Sequence, residues 1–336
     1  MSERVTIRTV AARAGVSKSL VSLVLQGSPH VSPAKRGAVE QAMAELDYRP
    51  NLLARSLSGS RTGLVGVLLD DLRNPWFVDC LEALRDALHE QGRHTLLAAA
   101  GGGQGIDSAA VPSFRELRVD GLVVVGTVPG AQDLLRAARL PTVVAGNRDV
   151  DLPGVDVIAN DDLTGAQLAV QHLVDLGHRR IAHLAGRFGV AADLRAQGYR
   201  AAMADHGWGD LVRVETADAS ESSAYSAAVR LLDADPDRRP TAIVAANDLS
   251  AIAAQSAALD RGLRVPDDVS IVGYDDTWLA SLRAVALTSV DNANAEVGRR
   301  AAAAFDARIA DPDRPATLEL LTPTLRVRGS TGIPPA

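Results

Sequence analysis

From Leu64 onward the chain repeats one pattern, a short apolar run followed by a stretch with helical spacing. The runs stand at 64–69, 95–100, 122–125 and 142–145, with helical stretches such as 77–91 and 131–138 among them. After about residue 160 the alternation resumes, with strands expected near 181–184, 242–246 and 270–274. Helices are expected near 163–175, 193–205 and 249–261. Such alternation predicts parallel sheets with helices on both faces. At 336 residues the chain is too long for one compact core, and two such units fit its length. A ligand of these units sits beyond the carboxyl ends of the strands.

The first sixty residues follow another rule. In TIRTVAARAGVSKSLVSLVLQG (6–27), Ile7, Val10, Ala11 and Ala14 recur at helical spacing. Gly15 breaks that helix and Ser17 supplies an N-cap for a second one. On the second helix Leu20, Val21, Val24 and Leu25 share one arc, while Lys18, Ser19, Ser22 and Leu23 fill the other. A core helix has no reason to keep Leu23 on its polar side. A helix laid in a DNA major groove can set it against a thymine methyl, with Lys18 and Ser19 reaching base edges or phosphates. Alone, these residues fit an ordinary helical hairpin equally well.

Ser32-Pro33 opens a third helix whose apolar face, Val39, Ala42, Met43 and Leu46, can close a three-helix unit. Lys35 stands where a capping box wants Glu, so that cap is incomplete. Arg49-Pro50-Asn51 ends the unit. LLARSL (52–57) then reads either as a linker or as a hinge that turns helical when a partner orders it.

Charge separates the two parts. Residues 1–61 carry +5 and the remainder −11, a basic head on an acidic body, as expected of a nucleic-acid module fused to a regulatory domain. Cys80 is the sole cysteine, which excludes an intramolecular disulfide and a cysteine metal cluster, and it reads as a small core residue. No apolar run approaches a membrane span and MSERVTIRTV lacks a signal-peptide core, so a cytoplasmic protein is expected.

These residues resemble the lac repressor/galactose repressor (LacI/GalR) family of bacterial transcription regulators. Residues 6–27 resemble its DNA-reading motif, YRPNLLARSL (48–57) its hinge, and GLVGVLLDDLRNPWF (63–77) the opening of its regulatory core. LGHRRIAHLAG (176–186), RAQGY (195–199), TAIVAANDLSA (241–251), VPDDVSIVGYDD (265–276), LTSV (287–290) and LTPTLRVRGST (321–331) follow in the family's order.

The resemblance implies a fold: an all-α helix-turn-helix head (1–49), a hinge and linker (50–62), and an α/β two-lobed periplasmic-binding-protein-like core (63–336) with parallel sheets. One lobe would take 63–160 and 291–321, the other 161–290 and 322–336, with crossovers near Asn160–Asp161, Val290–Asp291 and Leu321–Thr322. It also implies a homodimer on a pseudo-palindromic double-stranded operator and a small-molecule effector, expected to be a sugar or sugar derivative. Lys18 and Ser19 would begin the recognition helix, with Ser17 and Ser22 on phosphates and Leu23 in the groove. From the hinge, Asn51, Arg55 and Leu57 would join the DNA contacts, Leu57 as the wedge that enters the minor groove. Asp70, Trp76 and Phe77 would line the effector cleft from the first lobe, and Arg195, Asn247 and Asp275 from the second. An aromatic face would cover the sugar ring while Arg and Asp hold its hydroxyls.

Departures from the family pattern leave the ligand and operator open. Leu23 replaces a usual Arg, Gln26 a usual Asn, and Ala219 falls where several members carry a stacking aromatic; Asn160-Asp161 reverses the usual order. Two rival readings account for less of the chain. A sugar-transport receptor would share the core but would carry an export signal and no DNA-reading head. A nucleotide-using enzyme could claim AAAGGGQGID, yet position 106 is Ile where a third Gly is needed, and the run reads better as a loop. His178 reads as a turn residue before the strand at 181–184, with no third metal ligand near it and His183. Asp275-Asp276 reads as ligand-binding and helix-capping acids rather than a catalytic pair. The chain therefore reads as a ligand-responsive repressor, with neither enzymatic role nor cofactor nor metal expected.

Overall fold

The structure, a computed structural model, describes residues 5–25, 28–48, 61–99, 109–127, 131–146, 152–187, 189–218, 220–235 and 237–335. The chain divides into two compact units, one of Met1–Gly63 with Glu116–Val119, the other of Leu64–Arg115 with Asp120–Ala336.

In the first unit, α1 (Ile7–Arg13), α2 (Lys18–Leu25) and α3 (Pro33–Glu45) enclose a small apolar core. Val10, Val21 and Val39 are fully buried in it, and Ile7, Leu20, Leu25, Met43 and Leu46 pack around them. Gly15 turns the chain between α1 and α2 at φ +64, where a Cβ would be strained. Ser17 caps α2 by accepting from the Leu20 amide at 3.2 Å. Ser32 makes no side-chain cap bond to α3, which relies on Pro33 in its first turn. The sequence reading missed a reciprocal cap on α1, where Thr6 and Thr9 exchange side-chain and backbone bonds. The usual Glu or Gln signal is replaced there by Thr.

The second unit holds two six-stranded sheets. The first is built from β1 (Leu64–Leu69), β2 (His94–Ala99), β3 (Gly121–Val125), β4 (Thr142–Ala145), β5 (Val155–Asn160) and β11 (Leu318–Leu321), in the order β11-β5-β4-β3-β1-β2. The second uses β6 (Ile181–Gly186), β7 (Arg213–Ala217), β8 (Ala242–Ala245), β9 (Ser270–Tyr274), β10 (Thr288–Asp291) and β12 (Thr324–Arg326), in the order β12-β10-β9-β8-β6-β7. Every pairing is parallel, as expected, except β12 against β10, which adds one antiparallel edge to the second sheet. β12 follows β11 after a two-residue turn and meets β10 antiparallel, without a crossover helix.

The helices between strands are α4 (Pro75–Glu90), α5 (Ala110–Glu116), α6 (Ala131–Ala138), α7 (Asp162–Asp175), α8 (Val190–Asp205), α9 (Glu221–Leu232), α10 (Asp248–Asp260) and α11 (Asn294–Ala310). Three connections pass between sheets: β5 to β6 through α7, β10 to β11 through α11, and β11 directly to β12. Each sheet and its helices form a lobe. The return of α11 to the first lobe depends on Gly298, because a Cβ there would lie 2.3 Å from the Cys80 carbonyl on α4. Cys80 is fully buried, and burial pushes its thiol up to about 12.

Two buried polar clusters fix the path of the C-terminal segments. Arg308 grips Asp156 with Nε and Nη2 at 2.9 and 3.0 Å, while Thr317 donates to the same carboxylate from backbone and hydroxyl. That clamp delivers β11 to the edge of β5. His178, just after the turn that ends α7, is fully buried, bonded through Nδ1 to the Thr241 hydroxyl and through Nε2 to the Gly332 carbonyl, both at 2.9 Å. Burial lowers its pKa, and the ring tethers the C-terminal segment to the second lobe. Of the run AAAGGGQGID (98–107), read as a loop, Ala98 and Ala99 end β2 and residues 100–107 lie outside the described residues.

Candidate functional site

The carboxyl ends of strands from both lobes open onto one cavity of about 340 Å³. Its wall includes Asp70 after β1, Gly126 after β3 and Gly146 after β4 in the first lobe. The second lobe supplies Arg187 after β6, Asn247 after β8 and Asp275 after β9. Parallel sheets place their loops together at these ends, so the position follows from the topology. Asp70, Trp76, Phe77, Arg195, Asn247 and Asp275, widely separated in sequence, all line this cavity.

Asn74 caps α4 by accepting from the Trp76 amide at 3.0 Å, which aims the first turn of that helix at the cavity. Trp76 is 5% exposed and lies against Gly146, whose φ of +80 and missing Cβ make room for the indole. Its Nε1 donates to Asn292 Oδ1 at 3.0 Å. Phe77 meets Trp76 edge to face, centroids 5.0 Å apart, and is half-buried, so it offers more ring surface to the cavity. Burial and the neighbouring Asp71 raise Asp70 to about 6.

Arg195, on α8, is held from four directions. Nε donates to Asp162 Oδ1 at 2.9 Å, Nη1 to the Ala246 carbonyl at 2.5 Å, and Nη2 lies 3.4 Å from Asp275 Oδ1. The guanidinium also stacks 3.7 Å from the centre of the Tyr274 ring. Burial opposes its charge, but Asp162 and Asp275 hold its pKa above the ordinary arginine value. Asp275 itself is pushed up to about 7 by burial, against the pull of Arg195. Its φ of +100 is a strained backbone for a residue with a Cβ, of the kind that persists where the surroundings over-determine it. Asn247 caps α10, accepting from the Ser250 amide at 2.9 Å, which leaves its Nδ2 uncommitted to the cap.

The helix-capping part of the Asp275-Asp276 reading is corrected, since turns follow these residues and no helix begins there. Asp276 is paired instead with Arg328 at 2.6 Å. Sequence reasoning missed Asp162 and Asn292. Asp162 stands 33 positions from the arginine it binds, and only the tertiary path joins them.

On the head, Lys18, Ser19 and Leu23 are exposed on α2 and Ser22 is half-buried, while Val21 and Val24 face inward. Leu23, 41% exposed, thus stands outside the three-helix core. Asn51, Arg55 and Leu57, like Gln26 and Ala219, lie outside the described residues. Among the described residues no group of His, Cys, Asp and Glu is arranged to hold a metal ion, and no helix is long and apolar enough to cross a membrane.

The profile of "Bacterial regulatory proteins, lacI family" matches residues 6–51, and that of "Periplasmic binding protein-like domain" matches 170–331. The ribose operon repressor of Escherichia coli (strain K12) is 34% identical over 329 residues, 97% of this chain and 99% of that protein. The chain belongs to the lacI family. A lac repressor dimer bound to operator and an anti-inducer superposes with TM-score 0.85 at 29% identity, over 98% of this chain and 100% of that one. A CelR–cellobiose complex matches with TM-score 0.70 at 32% identity, over 97% and 100%.

Proposed function

We propose that this lacI-family chain is a homodimeric repressor that binds a pseudo-palindromic operator and answers to a small molecule held in the interlobe cavity. The observation that carries this reading is the convergence of the six side chains on one cavity walled by both lobes. A ligand that touches both walls has different contacts at different lobe angles, so it has a differential affinity for the two arrangements, and that difference is the source of control. Relatives support the same reading: one is named a ribose operon repressor, and a solved neighbour is a repressor dimer on operator DNA.

DNA contact is assigned to α2. Lys18 and Ser19 reach base edges and phosphates, Ser17 and Ser22 hold phosphates, and Leu23 lies against a base. The hinge residues Asn51, Arg55 and Leu57 complete the contact, with Leu57 as a wedge. The net +5 of residues 1–61 draws the head to the phosphates, and the affinity should fall steeply with salt as counterions are displaced. Selection of DNA from a random pool, followed by anisotropy titrations across a salt series, tests the assignment. A palindromic consensus with steep salt dependence supports it. No enriched sequence, or an affinity indifferent to salt, contradicts it.

A further inference from the structure

We infer that the cavity takes an uncharged single-ring polyol, a free monosaccharide, and turns away phosphorylated or carboxylated sugars, disaccharides and purines. The inference rests on the reading of this cavity as the effector site. It is drawn from a charge census of the wall.

Three arginines line the cavity among the described residues, and each is already neutralised. Arg73 forms a two-pronged pair with Asp71 at 2.9 and 3.0 Å, and Arg187 pairs with Asp218 at 2.7 Å. Arg195 is shared between Asp162 and Asp275. Two wall carboxylates, Asp70 and Glu221, make no ion pair among the described residues. Asp70 at about 6 is what a half-buried carboxylate without a cation beside it should show. The described wall is therefore net acidic. An incoming phosphate or carboxylate would lose its water and meet like charge, with no free arginine among the described wall residues to replace that water.

Neutral hydroxyls fare differently. A guanidinium has five N–H donors, and Arg195 spends three nitrogens' worth of single bonds on Asp162, Ala246 and Asp275. Its second hydrogens on Nη1 and Nη2 remain for a hydroxyl oxygen, while its charge stays balanced. Asp70 accepts from a hydroxyl, and Asn247 Nδ2 donates to one. Such directional bonds suit a polyol, which both donates and accepts at each oxygen.

Size and shape narrow the class further. A volume of about 340 Å³ lies at the small end of ligand sites, which run from roughly 300 to 1,000 Å³. That suits one ring better than two. The aromatic residues of the described wall are Trp76 and Phe77, both from the first lobe, while α8 of the second lobe lines it with Ala191 and Ala192. A pyranose or furanose has one apolar C–H face for the aromatic wall, whereas a planar purine has two faces to stack and finds described rings on one lobe only.

Calorimetry and thermal-shift titrations of the full chain decide the matter. The probes are D-ribose, D-xylose, D-glucose and D-galactose, their terminal phosphate esters, cellobiose and hypoxanthine. The expected result is binding of at least one free monosaccharide, with its phosphate ester weaker by at least about tenfold. Asp70→Ala should abolish that binding, whereas Asp86→Asn, at an exposed pair with Arg85, should leave it unchanged. A phosphate ester, cellobiose or hypoxanthine as the tightest probe overturns the inference, and so does failure of all four free sugars. DNA selection is scored apart, so either result can fail while the other stands.

Discussion

Asn292 donates its Nδ2 to Asp275 Oδ1 at 3.1 Å, in a site where both residues are almost wholly buried. Its own Oδ1 accepts from Trp76 Nε1, so one amide in the β10–α11 crossover joins the first turn of α4 to the floor of the second lobe. Asn294 adds a bond from Nδ2 to the Asp275 carbonyl at 2.9 Å. A ligand that moves Asp275 therefore pulls on Trp76 through a single side chain.

Asn292→Leu removes both bonds at nearly constant volume, leaving the Trp76 indole N–H unpaired and Asp275 Oδ1 with Arg195 Nη2 at 3.4 Å. An unmet buried group costs about 1–3 kcal/mol. Urea denaturation should show a loss of at least about 1 kcal/mol, with an unchanged m-value. A variant as stable as the parent would show that this amide does not tie the lobes together.

The Asp156–Arg308 pair is 0% and 2% exposed at its side chains. Arg308→Met strands the carboxylate, at a cost of about 3–5 kcal/mol. Acid sharpens the test. Burial alone would raise Asp156, but the bonds from Arg308 and Thr317 hold it below the ordinary carboxylate value. Its contribution is thus present above the unfolded pKa and lost as pH falls through the lower folded one. Without Arg308 the stranded carboxylate takes up a proton at higher pH and is relieved by it, so the variant's deficit should shrink as pH falls. Thermal unfolding of parent and variant from pH 3 to 7 checks this, and a deficit constant across that range is the contrary result.

Asp70 has the opposite sign. With a folded pKa raised to about 6, it favours the native state below the unfolded carboxylate value, and that contribution is lost as pH rises through about 6. Asp70→Asn cannot release this proton. Its melting temperature should gain on the parent's as pH goes from 4.5 to 7.5. A constant difference across that range would mean that Asp70 feels no such burial.

β1 and β9 were legible because their runs are almost wholly apolar: LVGVLL and SIVGY are buried at every position. β5, VDVIAN, is buried as completely and was missed, because Asp156 and Asn160 interrupt its apolar run. The half-exposed edge strand β7, RVETA, was not, since a strand exposed on one side carries no continuous apolar run. α9 escaped because Ala224, Ala227 and Ala228 fill three of its five buried positions, and α11 because Asn294, Gly298 and Arg308 interrupt its apolar face. Six residues of the cavity wall were legible through the family resemblance, and only Asp70, Asn247 and Asp275 among them also stand beyond the end of a strand. Asp162 and Asn292 act on Arg195 and Asp275 through the tertiary path, which leaves no spacing to read.

Leu23 carries the prediction most particular to this chain. Exposed on the arc assigned to the groove, it cannot donate to guanine, and a thymine methyl is its natural neighbour. Leu23→Arg should restore a G·C preference at one symmetric position in each half-site, worth about 1–3 kcal/mol. Parallel selection with parent and mutant would reveal the switch. The same base chosen by both would remove Leu23 from the groove.

The central claim is that occupancy of the interlobe cavity sets affinity for DNA. Anisotropy of a labelled, selected operator should be measured with and without a saturating free monosaccharide that calorimetry has shown to bind. The account predicts a shift in Kd of about 5-fold or more in the parent. It predicts no shift in Asp275→Ala, which should still bind the same DNA. A parent whose DNA affinity is unmoved while its cavity is saturated would contradict it.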